Sequence, residues 1–253
     1  MSHFTILPAT DADVQELIHV LQMTLGKTAM YAAMMPYDTD GSIQRMMHEG
    51  RIRGALRDPA VRLFKMVVSR RVDTEVTGPD EGEGECAGEN ESRDTLCGCV
   101  ALKLDEGRVV KSSSDGSVRT EAGDAIRSIT SLPGGNEDAL RAILEGVARL
   151  YDGMSGRHYG IEMLGVLPAY QNQGLATRLM EHCLRITDSE SPSLPTWLTA
   201  LPGANSVYTR HGFVGVDEDV VDLNAYDPTG RHLGSFAHRS MRRPPKQPAG
   251  EKA

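Results

Sequence analysis

Residues 159–176 read YGIEMLGVLPAYQNQGLA, and the fold turns on this stretch. Its first part, Tyr159 to Leu167, is apolar enough for a strand, and Pro168, lacking an N–H, ends the ladder. A tight loop follows. Then Leu175 opens a helix through Ile186, with Leu175, Leu179, Cys183 and Ile186 on one face. A strand running through a loop into a helix start gathers backbone amides around an anion. The first N–H groups of a helix have no internal partner, and the macrodipole places about +0.5 charge there. Small residues at Gly174 and Ala176 let a phosphate approach the backbone, and Gln171 adds a neutral side-chain donor. There is no Gly-x-Gly-x-x-Gly, and no Gly-Lys-Ser/Thr with its phosphate-binding lysine.

Outward from this stretch, strands and helices alternate. A short strand around Phe4 and Ile6 precedes a helix that Thr10 or Asp11 can cap, with Val14, Leu17, Ile18, Leu21 and Leu25 at helical spacing. A second helix is expected from about Gly41 to Leu56, and strands over Val61–Val72 and Leu96–Leu104. Asn136 to Tyr151 has the apolar stripe of a helix with an acidic start. A strand at Thr196–Leu201, a short helix at Ala204–His211, and strands at Phe213–Leu223 and Gly234–Met241 complete the chain. The pattern predicts an α/β or α+β fold with a mixed sheet. Residues 73–95 and 105–136, rich in Gly, Ser and charge, read as two loop insertions in a single domain spanning 1–243, and 244–253 as a tail.

The pattern Gln171-x-x-Gly174-x-Ala176, preceded by Val166-Leu167-Pro168, resembles the acyl-CoA loop of the GNAT superfamily of N-acetyltransferases. Downstream, the strand at Trp197, then Asn205, Tyr208 and Gly212-Phe213, follow in the order that superfamily uses. The resemblance is detailed over about 158–216. It implies a GNAT-like fold whose two central parallel strands splay apart, with acetyl-CoA as co-substrate and no metal. Carried over, Leu164 and Val166 line pantetheine, the backbone N–H groups of Gln173, Gly174, Leu175 and Ala176 hold the diphosphate beside Gln171, and Asn205 contacts the thiol arm. Tyr208 matches the general acid. Glu162 is the candidate general base, on the reading that it shares side-chain parity with Leu164 and Val166; an exposed glutamate or a structural ion pair is the alternative. Tyr31, Met34, Met35 and Tyr37 are acceptor-site candidates. The expected acceptor is a small-molecule or peptide amine; the alternative function is a non-catalytic acyl-CoA-binding or interaction module.

Composition narrows the classes. Apolar residues make up 40% and charged residues 25% of 253, ordinary for a single soluble core. The net charge of −8 sits in residues 73–95, which hold nine acids and one base; outside them acids and bases balance at 26 each. A neutral body argues against nucleic acid as partner. No apolar run reaches the roughly 20 residues of a membrane span, and the first ten residues lack a secretory pattern, so a cytoplasmic protein, monomer or homodimer, is expected. Cys97 and Cys99, two apart on a strand, should share a face, and no second pair suggests zinc. His158 and His211 are possible bases near the cleft.

Overall fold

The computed structural model describes residues 3–69, 94–112 and 118–246. The chain runs through β1 (His3–Pro8), α1 (Val14–Thr24), α2 (Ala29–Met34), α3 (Ser42–Arg57), β2 (Val61–Ser69) and β3 (Asp94–Asp105). Next come β4 (Val109–Ser112), β5 (Val118–Thr120), α4 (Glu121–Arg127), α5 (Glu137–Asp152), β6 (His158–Val166) and α6 (Leu175–Ser189). The chain continues with β7 (Thr196–Ala200), α7 (Asn205–Thr209), β8 (Val214–Asp222) and β9 (Ser235–Arg243).

Seven strands form one mixed sheet in the order β1-β2-β3-β6-β7-β9-β8. Only β6 and β7 run parallel, and their ladder covers just Tyr159–Ile161 against Thr196–Leu198. Beyond it β6 continues to Val166 and β7 to Ala200 without pairing to each other. The edge of β6 that faces β7 is therefore bare over its last residues. This is the splay expected from the sequence.

Helix α6 covers one face of the sheet. Its Leu175, Leu179, Met180, Cys183 and Leu184 pack with Val100, Leu102, Tyr159, Ile161 and Leu198. The other face carries α1 and α3, which bury Val14, Leu17, Ile18, Leu21 and Ile52 against Cys99, Ala101 and Met163. On that same face α5 packs Ala139, Leu140 and Ile143 with Phe236 of β9 and with Tyr31 and Met34 of α2. Helix α5 begins where Asn136 Oδ1 accepts the Ala139 N–H at 3.2 Å, one of the orphan donors of a first turn. Among the described residues no helix is long and apolar enough to cross a membrane.

Three expectations need correction. The first concerns residues 105–136, read as loop: they contain the β4–β5 ribbon and α4, which Thr120 caps by accepting the Gly123 N–H at 3.0 Å. Arg127 ties α4 to α5 through Glu145 at 3.1 Å and Asp152 at 2.5 Å. These elements are too short and polar to show a period. Of the acidic segment 73–95, residues 73–93 lie outside the described residues, and Asp94 and Thr95 open β3. Of the tail 244–253, residues 247–253 lie outside them.

The second correction is that Cys97 and Cys99 face opposite sides. Cys97 packs under α6 and Cys99 under α1. Met66 pairs with Gly98 and Val67 with Leu96, so Cys97 is an extra residue in β3, and one extra residue inverts the alternation. Both thiols are buried, as expected of core cysteines. The third is the parity of Glu162. Met163 adopts φ 52°, and the β3–β6 register slips there, so Glu162 and Leu164 lie on opposite faces. Leu164 and Val166 lie on the α6 face; Glu162 lies on the face of α1, α3 and α5.

Three histidines are buried, His48, His158 and His238. His48 is 0% exposed and neither ring nitrogen has a partner among the described residues; it stacks on Tyr31 at 5.5 Å. Burial, with a smaller push from the Arg51 charge, lowers its pKa to about 4. Burial takes His238 to about 4 as well, against a weaker opposing pull from Asp219. Both rings stay neutral in the fold, whereas unfolded histidines protonate near 6.5. Between about pH 6.5 and 4 the unfolded chain holds more protons, so stability falls as pH falls. The loss is about 3 kcal/mol per histidine over the whole window. Urea unfolding from pH 7 to 4.5 should show this slope, and His48→Leu should reduce it by about one proton's worth. An unchanged slope in the variant would show that His48 titrates alike folded and unfolded.

Candidate active site

The loop at the end of β6 is a bare amide cradle. A 3₁₀ turn at Pro168–Tyr170 lifts the chain off the strand, Asn172 turns it at φ 60° and Gly174 at φ 75°. Gly174 is the N-cap of α6, and its carbonyl takes the Arg178 N–H at 3.1 Å. Among the described residues, no hydrogen bond engages the backbone N–H groups from Asn172 to Thr177. A Cβ built on Gly174 would meet nothing within 4 Å. The space above these amides is thus open, and the helix start favours an anion there.

Gln171 Nε2 donates to the Val166 carbonyl at 2.9 Å, which fastens the loop onto the end of β6. Gln173 is exposed and its Nε2 reaches the Ala169 carbonyl at 3.4 Å. Leu175 is buried, and Ala176 packs at the rim of the α6 core. Leu164 and Val166 border the splay from the same side.

Across the gap, α7 presents Asn205 and Tyr208. Asn205 Oδ1 is buried and has no partner among the described residues, an acceptor left open for a donor from outside the chain. Tyr208 is 8% exposed and meets Phe213 edge-on at 6.2 Å. Burial pushes its phenol up to about 12. It therefore stays protonated at any working pH.

Glu162 is the first residue of β6 past the β6–β7 ladder, and Thr199 is its counterpart on β7. Glu162 shares a small enclosed cavity with Tyr151 of α5, Lys103, Asp105 and Trp197. Burial raises the Tyr151 phenol pKa, and the Glu162 charge raises it further. The Thr199 hydroxyl is buried without a partner among the described residues. Neither neighbour of Glu162 was legible from the sequence: Tyr151 follows the apolar stripe of α5 as any last-turn residue would.

The other candidates, His158 apart, fall outside this geometry. Tyr31 and Met34 are 2% and 4% exposed, inside the α2–α5 core, and Tyr37 is 67% exposed. His158 opens β6 at its paired end, has Nδ1 2.7 Å from the Gly156 carbonyl, and lines the same small cavity as Glu162. His211 follows α7, its N–H donating to the Tyr208 carbonyl. Burial raises Cys97 to about 11 and Cys99 and Cys183 to about 12, which keeps these three as neutral core thiols.

A family model described as an acetyltransferase (GNAT) domain matches residues 137–224. The fold is similar to that of Drosophila melanogaster polyamine N-acetyltransferase, an enzyme forming N-acetylagmatine, with TM-score 0.58 and 10% identity over 96% of this chain and 100% of that one. It is similar to mosquito arylalkylamine N-acetyltransferase like 5b, with TM-score 0.54 and 12% identity over 96% and 100%. It is also similar to a Corynebacterium glutamicum histone acetyltransferase HPA2 and related acetyltransferase, with TM-score 0.54 and 17% identity over 98% and 99%. At these identities the likeness speaks for the fold alone. No curated protein matches this sequence.

Proposed function

We propose that this chain, which matches a GNAT acetyltransferase family model over residues 137–224, transfers the acetyl group of acetyl-CoA to a primary amine by direct attack. The observation that carries the reading is the run of unpaired N–H groups from Asn172 to Thr177 at the mouth of a splay whose β6 edge is bare. The amides hold the diphosphate, charge-assisted hydrogen bonds being stronger than neutral ones. The bare edge of β6 past Glu162 pairs with the two amides of pantetheine as an added strand would. Asn205 Oδ1 accepts from the thiol arm. Acetyl-CoA supplies the activated thioester.

The chain's own residues manage protons. An alkylammonium near pKa 10.4 must lose a proton before it attacks, at a cost of about 4.6 kcal/mol at pH 7. Glu162, at the origin of the splay and on the face opposite Leu164 and Val166, takes that proton directly or through water. The cofactor thus lies along one side of β6 and the base points to the other. Tyr208 serves the departing sulfur. With the phenol at about 12 and a thiol near 8.5, full transfer is uphill by about 5 kcal/mol, so Tyr208 donates a hydrogen bond to the sulfur as the C–S bond breaks rather than releasing its proton early.

Glu162→Gln is expected to lower kcat/KM at pH 7 by about 100-fold, in the range of a lost general base. The deficit should shrink toward pH 10, where more of the amine is already neutral. A pH-independent deficit would remove Glu162 from proton transfer. The function itself is tested by release of CoA from acetyl-CoA in the presence of amines, polyamines, aminoglycosides and peptides. Acetyl-CoA binding with no release in any arm would favour a binding module over the enzyme.

A further inference from the structure

Behind Glu162, at the paired end of β6, the cavity it lines has a volume of about 10 Å³, close to the room one water molecule needs. The polar lining is Lys103 and Asp105 of β3, Tyr151 of α5, and His158 and Glu162 of β6. His158, Gly160 and Glu162 alternate along β6 ahead of the slip at Met163, so they share a face. Gly160 leaves the space between the other two unfilled. A Cβ built on it would stand 4.0 Å from Glu162 Oε1. Same-face Cβ atoms two residues apart are separated by about 6.6 Å, so the Glu162 carboxyl leans back over Gly160 toward His158. His158 lies one such step further, a gap that one water can bridge with two hydrogen bonds spanning about 5.5 Å. The His158 ring is held in place. It is 4% exposed, its Nδ1 is 2.7 Å from the Gly156 carbonyl, and it meets Trp197 edge-on at 6.3 Å. A carbonyl only accepts, so Nδ1 carries the hydrogen and Nε2 keeps the lone pair.

Of the groups on this cavity, His158 is the one suited to take a proton from Glu162. An ammonium at Lys103 has no lone pair to offer. Burial and the Glu162 charge keep the Tyr151 phenol protonated. The Asp105 carboxylate, a weaker base than an imidazole, already accepts the Gly107 N–H at 2.6 Å. We propose that His158 is a proton relay behind the general base: through one water in the cavity it takes from Glu162 the proton that the acceptor amine gave up, and so returns Glu162 to its carboxylate form. This rests on the N-acetyltransferase reading and adds a residue that acts through Glu162. In the transfer the Glu162 O–H breaks, the water passes a proton on, and an N–H forms at His158 Nε2. The imidazolium then loses its Nδ1 proton to bulk water beside residues 155–157, which are exposed. Asp105 stands opposite His158 across the β3–β6 ladder and favours that cation, while Lys103, opposite Gly160, opposes it.

The test is a double-mutant cycle of His158→Gln and Glu162→Gln, read as kcat and KM with an amine acceptor. Melting temperature and CoA affinity check that each variant folds. Glutamine can still donate to the Gly156 carbonyl but takes up no proton. His158→Gln should lower kcat about 10-fold, less than loss of the base itself, with both KM values unchanged and a larger solvent deuterium isotope effect on kcat. In the Glu162→Gln background the same change should lower kcat no further, because a relay without its base has nothing to carry. Gly160→Ala adds a methyl that meets nothing nearer than 4.0 Å, so it fills the water's place without strain and should reproduce the His158→Gln loss. Where His158→Gln fails to fold, Gly160→Ala decides alone. Parental kcat in His158→Gln or in Gly160→Ala, or a His158→Gln loss that adds in full to that of Glu162→Gln, overturns the relay and leaves the transferase standing. If no amine releases CoA from the parent although acetyl-CoA binds, the transferase reading fails and the relay falls with it.

Discussion

Replacing Gly174 with glutamate is expected to abolish capture of acetyl-CoA while the chain still folds. Gly174 sits at φ 75°, where a side chain costs about 1–2 kcal/mol of backbone strain, and an added Cβ meets nothing. A domain with a stability of about 5–15 kcal/mol survives that. The same open space is where a diphosphate must sit to reach the amides of residues 172–177. A carboxylate there both fills it and opposes the anion. Losing two charge-assisted hydrogen bonds, each worth about 1.5–3 kcal/mol, weakens binding by at least about 100-fold. Gly174→Asn, which tolerates positive φ, separates strain from blockage, since it adds bulk without charge and should bind in between. Calorimetry with CoA and a melting curve for each variant check both halves. A Gly174→Glu protein that binds CoA like the parent would mean the loop is not the diphosphate site.

The second large effect is at Tyr208. Tyr208→Phe removes one oxygen from a residue already packed against Phe213, so the core is preserved and affinity for CoA should barely change. Turnover should fall by about 100- to 1,000-fold, the scale of a lost proton donor at the leaving group. Because burial holds the phenol near 12, the parent should show no basic limb from this group below about pH 10. A Phe variant with parental kcat would remove Tyr208 from the chemistry. One with intact kcat but weak CoA binding would reassign it to the thiol arm.

The cofactor side of this site was legible in the sequence because its chemistry is local. Val166 to Ala176 places strand end, proline, loop, glycine and helix start within one short run, and each has a fixed backbone consequence. The acceptor side was not legible, for two physical reasons. Strand alternation carries no mark for an extra residue, so the slips at Cys97 and Met163 inverted the faces assigned to Cys99 and Glu162. The cavity at Glu162 is also lined from β3, α5, β6 and β7, which meet only once the sheet has formed. Tyr151 and Thr199 have no neighbour in sequence that betrays them, while Tyr31 and Met34, named for their residue types, are buried at 2% and 4% exposure. The ribbon and helix within 105–136 escaped for a third reason: α4 is one short polar helix held by Thr120 and Arg127, with no apolar stripe to read.

Amide hydrogen exchange, followed residue by residue with and without saturating CoA, addresses the loop directly. On this account the N–H groups of Asn172 to Thr177 exchange freely in the bare protein and slow sharply once CoA is present, while those of α4, remote from the splay, keep their rates. Equal exchange at Asn172–Thr177 in both conditions would show that these amides do not hold the diphosphate, and the acetyltransferase reading built on them would fall.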